Sequence, residues 1–139
     1  MSSPFVLDSF AILAYFFDEP ASSRFEELLS DAINGDATLS LSVVSMGEVM
    51  YTIANRRSMS AAAAGMAKIV QWPIEIVEID TELGLQAARI KATARMGYLD
   101  SFVVALAQRL GAVLVTGDPD FKRVEDLITI DWLPNKHDA

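Results

Sequence analysis

The side chains able to do chemistry in this sequence are carboxylates and hydroxyls. Cysteine is absent, and the one histidine, His137, is third from the C-terminal end. That removes thiolate nucleophiles, Cys-ligated zinc, iron–sulfur clusters and disulfide frameworks. It also leaves no imidazole placed for a Ser-His-Asp triad or a His-rich metal site. Five acids stand out by their neighbours. Asp8 follows Phe5-Val6-Leu7, and Glu48 lies among Val43, Val44, Met46, Val49, Met50 and Tyr51. Asp100 precedes Phe102-Val103-Val104-Ala105-Leu106, and Asp118 and Asp120 follow Ala112 to Val115. Acids embedded in apolar sequence need a partner or a purpose. The hydroxyls Ser9, Ser101 and Thr116 sit beside them, suited either to orienting a water or a carboxylate, or to capping.

The elements that must position these residues are legible from periodicity and punctuation. Phe5-Val6-Leu7 reads as a buried strand. Asp8-Ser9 caps a helix through Phe17, which Asp18-Glu19-Pro20 breaks. Phe25, Leu28, Leu29 and Ile33 mark one face of a second helix, ended by Asn34-Gly35. Ala37 to Leu41 is a second strand. Ser42 or Ser45 caps a helix ending near Arg57, and Ser58 or Ser60 starts another that Pro73 stops. Ile74, Ile76, Val77 and Ile79 form a third strand, and Asp80 caps a helix through Arg95. Asp100-Ser101 starts a helix stopped by Gly111. Ala112 to Val115 is a fourth strand, Thr116-Gly117-Asp118-Pro119 a turn, and Ile128-Thr129-Ile130 a fifth strand. Apolar strands alternating with helices imply an α/β fold: a three-layer α/β/α arrangement around a parallel sheet of four to five strands. One domain is expected over residues 1–133, with a frayed tail over 134–139. No apolar stretch approaches the roughly 20 residues of a membrane helix, and no basic leader precedes the first apolar run, so a cytoplasmic location is expected.

In open parallel sheets the functional crevice lies at the carboxyl ends of the strands. Asp8, Glu48, Asp118 and Asp120 all lie close behind such an end. Asp100, at the start of a helix running back along the sheet, reaches the same edge. Asp8, Glu48, Asp100 and Asp118 are therefore expected to converge. Carboxylates about 4 Å apart repel by about 4 kcal/mol per pair at an effective dielectric of about 20. Raised pKa values or a bound cation relieve that cost. Oxygen donors without His or Cys select Mg²⁺ or Mn²⁺ over zinc. Such ions acidify water and clamp a phosphodiester for in-line attack.

Five segments together resemble a known family. They are Val6 to Ala14, the turn Asp18-Glu19-Pro20, Gly47-Glu48-Val49, Leu99 to Ala107, and Leu114 to Phe121. With four acids in order, each in an apolar frame, the chain resembles a PIN-domain ribonuclease over about residues 5–133. It is most similar to the VapC toxins of bacterial and archaeal toxin–antitoxin pairs. The resemblance implies a Mg²⁺- or Mn²⁺-dependent endoribonuclease that inhibits translation. Its four acids carry over to Asp8, Glu48, Asp100 and Asp118, and its hydroxyl to Thr116, with Ser9 and Asp120 in support. It also implies a homodimer and a small antitoxin covering the site. Met46, Met50 and Tyr51, with Met59, Ala61 to Ala64 and Met66, offer adaptable surfaces for such a partner. One departure is the bulky Tyr98-Leu99 before Asp100, where members of the family often carry a small residue.

A net charge of −8 fits an RNA-cutting enzyme only when sorted by position. Residues 1–55 hold eight acids and one base, Arg24, whereas residues 56–123 hold nine bases and seven acids. Arg89, Lys91 and Arg95 before Asp100, and Lys122 and Arg123 after Asp118, are candidate phosphate contacts. Arg56-Arg57 serves the same end or closes a helix. Three other readings compete. A receiver-like signalling module expects an acidic pair near strand 1 and a lysine after a late strand, but residues 5–7 hold no acid and no lysine follows Ile128-Thr129-Ile130 until Lys136. A haloacid-dehalogenase-like phosphatase needs a second Asp two residues after the nucleophile, where Phe10 stands. A degenerate PIN domain that only binds partners would not need all four acids.

Overall fold

The computed structural model describes residues 2–135, so His137 and the rest of the segment 136–139 lie outside the described residues. Among the described residues, five parallel strands form one sheet in the order β3-β2-β1-β4-β5. They are β1 (Ser3–Leu7), β2 (Ala37–Ser42), β3 (Ile74–Val77), β4 (Val113–Thr116) and β5 (Ile130–Trp132). Six α-helices among the described residues connect them: α1 (Ser9–Phe16), α2 (Ser22–Ile33), α3 (Val43–Arg56), α4 (Met59–Ile69), α5 (Thr81–Ala94) and α6 (Tyr98–Leu110). A 3₁₀ helix over Pro119–Val124 lies between β4 and β5. The expected three-layer architecture is observed.

Strand alternation builds the layers. Side chains along a strand point to opposite faces, and Val6 and Leu7, both fully buried, join different cores. Leu114 and Val115 divide in the same way. One face packs Leu7, Leu41 and Val115 against α1 to α4 through Ile12, Phe25, Leu28, Val49 and Ile69. The other packs Val6 and Leu114 against α5, α6 and the 3₁₀ helix through Leu83, Val104, Leu106 and Phe121. Each such side chain contributes roughly 1.5–3 kcal/mol when fully buried. Among the described residues no helix is long and apolar enough to cross a membrane.

Several caps form as expected. Ser42 accepts from Val44 N, Ser58 from Ala61 N and Asp80 from Leu83 N. Others differ. Asp8 occupies the N-cap position of α1, but its side chain caps nothing. Helix α6 begins at Tyr98 behind Gly97 rather than at Asp100, which sits in its first turn. Strand β3 ends at Val77, short of Ile79. Strand β5 starts at Ile130 instead of Ile128. Ile128 N donates to Val124 O, closing the preceding turn, and the pairing with β4 runs from Leu114–Ile130 to Thr116–Trp132.

Candidate active site

The sheet's central strand delivers the most buried acid. Asp8 is the first residue beyond β1, is 3% exposed, and is anchored by its own N–H donating to Val115 O at 3.1 Å. Its neighbour on the sheet, Thr116, is fully buried at the end of β4. Thr116 Oγ1 donates to Asp8 Oδ2 at 2.8 Å and accepts from Asp118 N at 3.1 Å. Asp118 Oδ1 in turn accepts from Asp120 N at 2.9 Å. One hydroxyl thus ties Asp8 to the turn after β4, and this is why Asp8 does not cap α1.

Helix α3 brings Glu48 from its second turn, half-buried, where Glu48 Oε1 accepts from Ser9 Oγ at 2.8 Å. Ser9 Oγ also lies 3.5 Å from Asp8 Oδ1. Asp100 comes from the first turn of α6, and one oxygen each of Asp100, Asp118 and Asp120 lies within 4.8 Å of the others. Gly97, just ahead of α6, stands beside this carboxylate: a Cβ there would lie in ordinary contact, 3.7 Å from Asp100 Oδ2. At Gly117 a Cβ would meet the Phe10 ring at 2.4 Å and Leu133 O at 3.1 Å. Only glycine lets the turn bearing Asp118 close over α1.

The electrostatics follow from this crowding. Burial pushes Asp8 up to about 7; the Thr116 hydrogen bond opposes this, and Asp100 and Glu48 add to it. Burial, then the charges of Asp118, Glu48 and Asp120, push Asp100 up to about 6. The positive end of α6 favours the ionised form of Asp100, so these opposing causes outweigh it. The exposed Tyr51 hydroxyl, one turn beyond Glu48, is raised by desolvation and by the charges of Glu48 and Asp100, which keeps it neutral.

The structure therefore brings Asp8, Ser9, Glu48, Asp100, Thr116, Asp118 and Asp120 to one edge. It groups Asp120 more tightly with Asp100 and Asp118 than its supporting place in the sequence suggested. Ser101 is not part of this network: it is fully buried and donates to Tyr98 O at 2.6 Å within α6. Of the candidate phosphate contacts, Arg89 is held by Gln86 and Lys91 donates to Met96 O. Arg95, Lys122 and Arg123 are exposed. Lys122 shares a groove with Gly117 and Pro119, the residues flanking Asp118. Arg56 and Arg57 instead sit over the Phe17 ring, 4.8 and 4.7 Å from its centroid. The far end of α3 puts them about 12 Å along the helix from Glu48. Sequence reasoning placed Gly117 in the turn but did not find its close contact with Phe10. The pairing of a glycine with an aromatic two residues after Asp8 leaves no signal in one chain.

An all-oxygen cluster at the carboxyl edge of a parallel α/β/α sheet defines a class of acid-centred α/β proteins. Within that class the family model of the PIN domain matches residues 5–127, and the chain belongs to the PIN domain family. Solved structures share the fold. VapBC2 from Rickettsia felis, bound to a DNA fragment from its promoter, superposes with a TM-score of 0.74 at 14% identity, covering 94% of this chain and 99% of that one. DNA-bound VapBC from Salmonella typhimurium gives 0.68 at 20%, covering 94% and 98%. VapC20 from Mycobacterium tuberculosis, a sarcin–ricin loop cleaving toxin, gives 0.68 at 17%, covering 85% and 92%. No curated protein sequence matches the chain.

Proposed function

We propose that the protein is a Mg²⁺- or Mn²⁺-dependent endoribonuclease, the toxin of a VapBC-type pair. The observation that carries this reading is the approach of Asp100, Asp118 and Asp120 within 4.8 Å, beside a buried Asp8 with no cationic partner among the described residues. Like charges gathered at this density are relieved by a hard dication, and the donor set is oxygen only. Asp100, Asp118 and Asp120 would hold the ion, with Asp8 and Glu48 at its flank. When bound, a dication acidifies water and neutralises charge on a phosphodiester. The chain's own residues do the rest. Thr116 fixes the rotamer of Asp8 and the path of the Asp118 turn. Ser9 fixes Glu48, leaving that carboxylate's second oxygen to accept a proton or hold a water. Lys122 and Arg95 supply phosphate contacts beside the cluster.

An antitoxin covering this edge and a second copy of the chain are the partners proposed. Exposed Met50, Tyr51 and Met59 on α3 and α4 offer apolar contact area, while Val49, Ile53, Ala62 and Ile69 of the same helices are core. The test is cleavage of a panel of structured RNAs with Mg²⁺, Mn²⁺ or EDTA, and with Asp8→Asn and Asp100→Asn. Cleavage that EDTA abolishes and both variants lose by at least about 100-fold supports the reading. Undiminished cleavage in EDTA overturns it. Loss of protein synthesis in a cell-free translation mix that receives the wild type, with synthesis kept in mixes that receive either variant, would assign the target RNA to translation.

A further inference from the structure

The groove beside the acid cluster has the shape and chemistry of a base-binding subsite. It is lined by Gly117, Pro119, Lys122, Trp132, Leu133 and Asn135 and measures about 250 Å³. That is below the roughly 300–1,000 Å³ that take a drug-sized molecule, and suits one planar ring. Gly117 and Pro119 are the two neighbours of Asp118, so the groove is continuous with the acid edge. A larger groove, near 490 Å³, is lined by Gly111, Ala112 and Thr129 at the other end of β4, away from the acids.

Trp132 is built for this position. It pairs in register with Thr116, whose hydroxyl bonds Asp8, so the indole and the acids are set by adjacent strands. Its polar edge is tied back, with Nε1 donating to Glu125 Oε2 at 3.2 Å, and half-buried Trp132, packed in part against the core, is one of the residues lining the groove. Asn135 Nδ2 donates to Gly117 O at 3.4 Å, closing one wall. Exposed Lys122 places a cation at the rim of a protein otherwise strongly acidic. A flat aromatic, a cation and a neighbouring phosphodiester-binding edge together describe single-stranded nucleic acid, whose bases stack without regard to sequence.

We propose that this groove takes the nucleobase next to the scissile phosphate, stacked on Trp132, with Lys122 on the adjoining phosphate. The inference rests on the nuclease reading above and deepens it. Its role is to hold the strand in register, so it acts on KM.

Two measurements test it. In the first, an RNA oligonucleotide cut at one bond is compared with versions made abasic on either side of that bond. Stacking predicts that one abasic position raises the wild-type KM about tenfold with little change in kcat. Trp132→Ala shows the raised KM on intact RNA and no further abasic penalty, and Trp132→Phe stays near wild type. An abasic penalty that persists in Trp132→Ala, or a wild-type KM in that variant, overturns the subsite while leaving the nuclease intact. The second needs no cleavage. The chain has two tryptophans, so Trp72→Phe leaves Trp132 alone, and short single-stranded RNA added with EDTA-treated or Mg²⁺-loaded protein should quench its fluorescence. No quenching under either condition overturns the subsite even if no RNA is cut, whereas quenching with no cleavage of any RNA in the panel overturns the nuclease reading and leaves a base-binding groove with no scissile bond beside it.

Discussion

Asp8 carries the clearest consequence at the residue scale. Its carboxyl is raised to about 7 in the folded protein, against about 3.9 in an unfolded chain. The folded state therefore holds the proton more tightly, and the stabilisation is full below the unfolded value and lost as pH rises through 7. Asp100, raised to about 6, adds to the same trend. Without a cation the protein should melt several degrees lower at pH 8 than at pH 5.5. Asp8→Asn should raise the pH 8 melting temperature by on the order of 5 °C and lose that advantage at pH 5.5, as differential scanning calorimetry in EDTA would read. Mg²⁺ should stabilise the wild type at pH 8 more than the variant. A melting temperature flat with pH would show that Asp8 is not held protonated.

Gly117 gives a second prediction at this scale. Gly117→Ala forces the Phe10 ring aside and crowds a backbone carbonyl, a form of overpacking that costs about 1–3 kcal/mol. Phe10→Leu in the Gly117→Ala background should recover part of it, which urea unfolding of the two single variants and the double would show as non-additivity.

At the scale of the element, caps and cross-links decide where the acids stand. Ser42 is fully buried and accepts from Val44 N at the start of α3, the helix that carries Glu48. Ser42→Ala should lower stability by about 1 kcal/mol, read as a lower urea midpoint at unchanged slope. Asp80 caps α5 and is gripped by Arg109 of α6, with contacts of 2.8 and 2.9 Å. That bond first, then the N–H of Leu83, holds the Asp80 carboxyl down at about 2. Its stabilisation is present above the unfolded value and is lost as pH falls from about 4 to 2. Arg109→Gln should move the Asp80 value, followed by NMR titration, back toward the ordinary range.

Elements also show what one chain can disclose. Strands were legible where apolar runs are bounded by turn residues, as at Val6-Leu7 and Leu114-Val115. Asp80 and Ser42 announced their helices because their caps are local. Strand β5 was misplaced by two residues because its limits come from pairing with β4, not from its own apolar content. Helix α6 begins earlier than expected for a related reason: Asp100 belongs to the acid cluster, and Gly97 leads into the helix in its place. The crevice itself could be inferred from the strand-end rule, whereas the grouping of Asp120 with Asp100 and Asp118 depends on a 3₁₀ turn that no periodicity marks.

At the scale of the whole molecule, charge is the governing quantity. With five candidate phosphate contacts, Arg89, Lys91, Arg95, Lys122 and Arg123, binding of single-stranded RNA should weaken with salt at a log–log slope no steeper than about −3.5. Lys122→Ala should make it shallower by about 0.7. Arg57→Ala should leave it alone, because Arg57 lies over Phe17. Filter binding with Asp8→Asn at several salt concentrations measures all three. Binding in EDTA should be weak, since the acid edge then repels phosphate.

The sheet order has a consequence in time. Strand β1 is central, flanked on one side by strands made early and on the other by β4 and β5. Asp8 and Glu48 are therefore synthesised with the first half, while Asp100, Thr116 and Asp118 arrive with the second. Glu48 precedes Asp118 by 70 residues, roughly 4–14 s of synthesis at about 5–20 residues per second. During that interval the nascent chain carries Asp8 and Glu48 beside an unpaired strand edge and cannot assemble the site. On the nuclease reading proposed above, a ribosome-bound product is thus inactive until Asp118 and Asp120 have been made, an interval of seconds in which the chain is folded in part and unable to cut.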